Sequence, residues 1–114
     1  MQPNTAKIRE LNDAFRKGEK PHLGQIVLTI GVRELCSPWP LGVAAAYAIV
    51  QNFDKFTNAN DPHNEHDFGS FEFAGEKCFW KCDYYNKTLD GGSEDPSNET
   101  QTMRVLTIML ASEY

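Results

Sequence analysis

The sequence predicts an α+β fold, a mainly antiparallel sheet of three to four strands with two helices packed on one face. Two stretches, Thr5–Lys17 and Leu41–Phe53, carry apolar residues at helical spacing. Three others, Gln25–Val32, Phe68–Phe73 and Lys77–Tyr85, are rich in β-branched or aromatic residues and bounded by turn formers. With 114 residues there is room for one hydrophobic core, so residues 1–114 read as a single domain.

In the first helical stretch Ile8, Leu11 and Phe15 form the apolar stripe, Asn4 or Thr5 supplies the N-cap, and Gly18 and Pro21 end the helix. Gln25–Val32 then sets Ile26, Leu28 and Ile30 on one strand face. Ser37-Pro38-Trp39-Pro40 breaks regular structure, because proline lacks the backbone donor and restricts the residue before it. The second helix follows, with Val43, Ala46, Tyr47, Val50 and Phe53 on one side. Phe56–Asp67 is polar and reads as a loop. Phe68–Phe73 and Lys77–Tyr85 form a hairpin about Ala74-Gly75. Cys78, Trp80, Cys82 and Tyr84 share the core face, and Phe79, Lys81, Asp83 and Tyr85 the other. Asn86–Gln101 is a long polar loop, a length that is uncommon without a function. Met103–Leu110 suits a helix through Met103, Leu106, Met109 and Leu110, or a strand through Val105, Thr107 and Ile108. A strand is expected, since it would extend the hairpin into a meander.

Composition narrows the function classes. Apolar residues make up 40% and charged residues 24% of the chain, as in ordinary globular domains that fold without a structural metal. No stretch approaches the ~20 apolar residues of a membrane helix, and Met1–Thr5 lacks a leader's layout. A cytoplasmic location is expected, with no membrane partner. The three cysteines, Cys36, Cys78 and Cys82, are odd in number. On one strand Cys78 and Cys82 would lie about 13 Å apart at ~3.3 Å per residue, beyond the ~7 Å that a disulfide spans. Reduced, packed thiols are expected.

Charge is unevenly distributed. Residues 54–99 hold eleven acids against four lysines, a net of −7, whereas residues 1–53 carry +2 and the whole chain −5. Such a surface repels phosphate backbones, which argues against direct nucleic-acid binding, and attracts basic protein surfaces.

The segments IRELNDAFR, DPHNEHDFGSFEF, FWKCDYY, and GSEDP followed by RVLTIML resemble a family of small bacterial proteins catalogued as a domain of unknown function, often carried on plasmids and mobile elements. The resemblance covers nearly the whole chain and implies no assigned activity. Its mid-chain signature, Asp-Pro-x-Gly-Glu-His-Asp-Phe-Gly, is matched by Asp61, Pro62, Glu65, His66, Asp67, Phe68 and Gly69. Asn64 stands where glycine is expected, and asparagine tolerates left-handed backbone angles.

Asp61, His63, Glu65, His66 and Asp67 form the one cluster with metal-site or catalytic chemistry, since imidazole and carboxylate together can hold a divalent ion that activates water. Their spacing lacks the helical His-Glu-x-x-His frame. A structural role, with His66 and Asp67 bonded to loop backbone, is the simpler expectation. Cys36 has no neighbouring base, and Gly91-Gly92-Ser93 lacks the lysine of a phosphate loop. No catalytic residue, cofactor or metal is therefore assigned, His63 and His66 being the weak metal candidates. The functional expectation is a non-enzymatic acidic module that binds a protein partner through Glu65, Asp67, Asp90, Glu94, Asp95 and Glu99. Given the resemblance, that partner would be a nucleic-acid-binding host defence complex, inhibited in the anti-CRISPR or anti-restriction manner when its basic surface is covered. Outward aromatics, Tyr85 and Phe79, would form a binding patch or lie under the first helix. The alternative is a small metal-dependent hydrolase or nuclease using the His63–Asp67 loop.

Overall fold

The computed structural model describes residues 4–114; Met1–Pro3, the start of the segment read for a leader, lie outside the described residues. Helix α1 spans Thr5–Arg16 and is capped by Asn4, whose side chain accepts from Lys7 N. Ile8, Leu11 and Phe15 are buried as their spacing predicts. The chain leaves the helix at Gly18, where φ is +82°, and a 3₁₀ turn at Pro21–Leu23 leads into strand β1, Gly24–Leu28.

The strand predicted over Gln25–Val32 stops at Leu28, and Ile30–Cys36 forms helix α2 instead. The cause is a cap built from two ends of the chain. Thr29 Oγ1 accepts from Val32 N, while the Glu113 carboxylate takes up the Thr29 hydroxyl at 2.6 Å, Gly31 N at 3.1 Å and Leu110 N at 2.8 Å. These bonds satisfy donors that open a helix and that a continuing strand would have turned elsewhere. The β-branched run Ile26-Val27-Leu28-Thr29-Ile30 is thus divided by a residue 84 positions away.

Helix α3 (Gly42–Gln51) follows the proline break, then strands β2 (Phe68–Phe73), β3 (Glu76–Tyr85) and β4 (Met103–Leu110), and a final 3₁₀ turn over Ala111–Glu113. Ala74 and Gly75, both at positive φ, make the tight turn between β2 and β3. β4 is a strand and pairs antiparallel with β3, from Cys78 opposite Leu110 to Tyr85 opposite Met103. The sheet order is β1-β4-β3-β2. β1 joins β4 in parallel, so the sheet is mixed rather than wholly antiparallel. Among the described residues no helix is long and apolar enough to cross a membrane.

The three helices contribute to one core on one face of the sheet. Leu11 and Phe15, Val32 and Cys36, and Ala46 and Val50 cluster with Trp80, Leu106 and Ile108. Trp80 is wholly buried and meets the Phe53 ring edge-on at 5.5 Å. Gly69, directly opposite Trp80 in the register, leaves room for it. A Cβ there would lie 2.7 Å from Phe53 Cζ and 2.8 Å from Trp80 Cε2. We expect Gly69→Ala to cost about 1–3 kcal/mol through overpacking, read as a lower urea midpoint with an unchanged m-value.

The Glu113 clasp carries a pH signature. Its bonds to the Thr29 hydroxyl and to backbone N–H groups hold the carboxyl below its ordinary range. A depressed folded-state pKa contributes stability above the unfolded pKa of ~4.3 and loses it as pH falls through the folded value. The melting temperature of Glu113→Gln should therefore lie below the wild type's at pH 7, and the gap should close as the pH falls below about 4. A gap independent of pH would show that the carboxylate's charge is not what the clasp uses.

Candidate functional site

The polar loop between α3 and β2 is held down by residues of α1. Asp61, 5% exposed, accepts from Glu65 N at 3.1 Å and His66 N at 3.2 Å through one carboxylate oxygen. Asn64 and His66 adopt positive φ, +57° and +56°, so Asn64 takes the backbone conformation that suits the glycine expected there. His66 stacks flat on Phe56, ring centroids 3.7 Å apart. Its Nδ1 lies 2.9 and 3.1 Å from the two oxygens of Asp13.

Next to Asp13 on α1, Asn12 is the hub of a second set of bonds. Its amide donates to Glu65 O at 2.9 Å and to the Tyr84 hydroxyl at 2.7 Å, and Tyr84 donates in turn to Glu65 Oε1 at 2.7 Å. Its oxygen accepts from Arg104 Nε at 2.7 Å and faces Cys82 Sγ at 3.8 Å. Arg104 is wholly buried; its Nη2 donates to Pro96 O at 2.7 Å, and its carbon centre lies 5.3 Å from the Tyr84 ring centroid. Its Nη1 has no partner among the described residues. Burial lowers the Arg104 pKa, pushes Cys82 up to about 12, and, with the bond to Glu65, raises Tyr84. Cys36 is likewise buried and raised. Neither thiol is poised as a nucleophile, and all three cysteines are free.

Beside this network a cavity of about 530 Å³ is lined by Asp13, Arg16, Lys17, Phe53, Phe56 and His66, among others. Its central charges pair with one another, though Arg16 Nε has no partner among the described residues. Asp13 accepts from Arg16 Nη1 at 3.0 Å as well as facing His66, and Arg16 Nη2 donates to Phe53 O at 3.3 Å. The Arg16 guanidinium lies over Trp80 and Phe56. No serine, threonine or cysteine lines the cavity to act as a nucleophile.

The predicted site residues are dispersed. Glu65 is tied to Tyr84. Asp67 is half-buried, its carboxyl raised first by burial and then by the charge of Glu65. Asp90 accepts from Asn86 and Thr88, both at 2.7 Å, and Asp95 closes a turn onto Ser97. Glu99 lies 3.8 Å from both Lys20 and His22. Asp90 and Glu94 stay exposed. His63 lines a different cavity from His66, one shared with Asp67, Lys81 and Tyr114. Among the described residues no group of three or more His, Cys, Asp or Glu is arranged to hold a metal ion. Ser93 of the glycine pair bonds Thr102 Oγ1 at 2.7 Å, within a loop that leads to no helix.

Sequence reasoning missed Asn12, Asp13, Arg16 and Arg104. The available signal was Asn12 and Arg16, four residues apart and flanking the buried stripe of α1.

The other face of the sheet bears none of the helices. Registered pairs put Phe68, Phe79, Lys81, Asp83 and Tyr85 there with Met103, Val105, Thr107 and Val27. Phe79 and Tyr85 thus do point outward, as the alternation implied. Tyr114, 76% exposed, packs edge-on against Phe68 at 5.9 Å and Phe79 at 5.5 Å. Lys81 and Asp83 pair at 2.7 Å. Val27 and Tyr85 are 38% and 36% exposed.

Residues 28–113 match the family described as "Protein of unknown function (DUF3768)", and the chain belongs to that family. No curated protein and no solved structure matches it. The matched region takes in α2 to the Glu113 clasp, including the Asp61–Gly69 signature.

Removing the hub should be costly. Asn12→Ala leaves Arg104, Tyr84 and Glu65 O short of partners inside the protein, and we expect a loss of about 3 kcal/mol in urea unfolding. A loss under ~1 kcal/mol would mean that water replaces the amide freely.

Proposed function

We propose that the protein is a non-enzymatic binding module that engages a protein partner through the helix-free face of its sheet. The observation that carries this reading is the bare face itself. Phe68, Phe79, Tyr85, Val105 and Met103 lie there with no helix over them, all but Tyr85 half-buried, and Tyr114 packs on two of the rings. A solvated antiparallel sheet face ordinarily carries polar residues at alternate positions, whereas aromatic and methionine side chains are enriched where proteins meet.

The partner we propose has a basic surface. The excess of acids in residues 54–99 supports this, with Asp90 and Glu94 exposed beyond the Tyr85 end and Glu72 and Glu76 at the hairpin end. Such charges steer association and make it salt-sensitive. In its narrowest form the partner is a nucleic-acid-binding defence complex, its basic surface covered in the anti-CRISPR or anti-restriction manner. The rival reading, a metal-dependent hydrolase on the His63–Asp67 loop, requires at least three side chains to converge on one ion, and no observation favours it.

The test is affinity capture at low salt with wild-type protein and with the double variant Val27→Lys, Tyr85→Lys. Both substitutions are at exposed positions, so the melting temperature should barely move. The expected result is a stoichiometric partner, released as salt rises and held at least tenfold more weakly by the variant. A partner retained equally by both proteins, or none at all, overturns the proposal.

A further inference from the structure

The rim of the molecule formed by β2 and α3 has two independent features that the sheet face does not explain. The first is an open strand edge. β2 ends the sheet, and Phe68–Phe73 make no backbone hydrogen bond outside their pairing with β3. Strand edges are normally guarded by lysine, proline, bulges or a covering segment, yet Phe-Gly-Ser-Phe-Glu-Phe carries one charge and no proline. By contrast the last carbonyl of β1, the opposite edge, accepts from Arg33 Nε at 3.3 Å.

The second feature is an uncharged helix flank. From Leu35 to Phe53 the chain has no charged residue, although the outer side of α3 faces water. Val43, Ala44, Ala45 and Ile49 are exposed there, and Leu41 and Trp39, just before the helix, are 75% and 50% exposed. A surface helix ordinarily sets charged or polar residues on its outer face. These side chains expose on the order of 500 Å² of apolar surface, near the top of what a monomer leaves in one patch.

The two features adjoin. Trp39 meets Phe73 edge-on at 6.1 Å, Ile49 and Phe53 line one cavity with Ser70 and Phe71, and Phe53 closes over Gly69. Helix α3 therefore runs antiparallel to β2 along the same rim.

We propose that this rim is a two-fold interface between copies of the chain, with β2 paired antiparallel to β2 of the second copy and α3 packed on α3. Three observations favour a second copy over another partner. Pairing centred on Phe71 sets Glu72 opposite Ser70 of the second copy, on the same sheet face, so the strand's one charge never meets itself. The α3 flank offers no charge with which to select a charged partner, whereas an isologous contact needs only self-complementarity. The apolar area falls short of the ~800 Å² that each side of a standard interface buries, and the paired strands supply the remainder. The dimer would carry a continuous eight-stranded sheet, its helix-free face doubled in length.

Sedimentation velocity from about 1 to 100 μM tests this, with hydrogen exchange across β2. The expected result is a species of twice the 12.9 kDa chain mass, with Phe68–Phe73 amides protected in it. Ala45→Glu, at an exposed helical position, should shift the species at least tenfold in concentration towards monomer and speed exchange in β2, with unchanged circular dichroism. Val27→Lys, Tyr85→Lys should leave the dimer intact. A wild-type chain that stays monomeric at 100 μM, or a dimer insensitive to Ala45→Glu, overturns the proposal.

Discussion

The structure turns on a guanidinium held entirely out of water. Arg104 has no carboxylate bonded to it; the charge is carried by the Asn12 oxygen, the Pro96 carbonyl and the face of Tyr84. Burying a cation is costly unless its donors are met, and here Nε and Nη2 are met while Nη1 has no partner among the described residues. That demand fixes where α1, β3, β4 and the long acidic loop must sit relative to one another. Asn12 answers it on one side and, through its amide, holds Glu65 and Tyr84 on the other. The loop preceding β2 is therefore a strut between helix and sheet, with Asp61 bonding its backbone inside and His66 reaching Asp13 outside.

This arrangement changes the meaning of the chain's most reactive-looking segment. Imidazole and carboxylates close together in sequence invite a catalytic reading, but Asp61, Glu65 and His66 are each committed to a neighbour within the fold. What stays uncommitted is apolar: the bare sheet face, the β2 edge and the flank of α3. Apolar, unpaired surface of this kind is what the proposed association would cover.

Much of the fold was legible in the residues. Ile8, Leu11 and Phe15 mark the buried side of α1, Ala74-Gly75 marks the hairpin turn, and the alternation of Cys78, Trp80 and Cys82 gives the core face of β3. Local signals failed where distant partners decide. Val27-Leu28-Thr29-Ile30 reads as strand throughout, and only Glu113 at the far end of the chain makes Thr29 a helix cap. The parallel pairing of β1 with β4 has no local signature, because 74 residues separate Leu28 from Met103. Of the candidate site, the sequence showed Asp61, Glu65 and His66 as a cluster but not the α1 residues, more than forty positions away, that absorb them. Its acidic loop was legible as composition, while the bonds that occupy Asp95 and Glu99 depend on how the loop folds back.

The central claim is that contact is made by the helix-free sheet face and not by the cavity at Asp13 and His66. Side-chain and amide NMR of labelled protein, titrated with the captured partner, tests it most directly. The account predicts shifts concentrated on Val27, Phe79, Tyr85, Met103 and Val105, with Asn12, Asp13 and His66 unmoved. Shifts centred on His66, Arg16 and Phe56, with the sheet face silent, would contradict it and make the cavity the functional site.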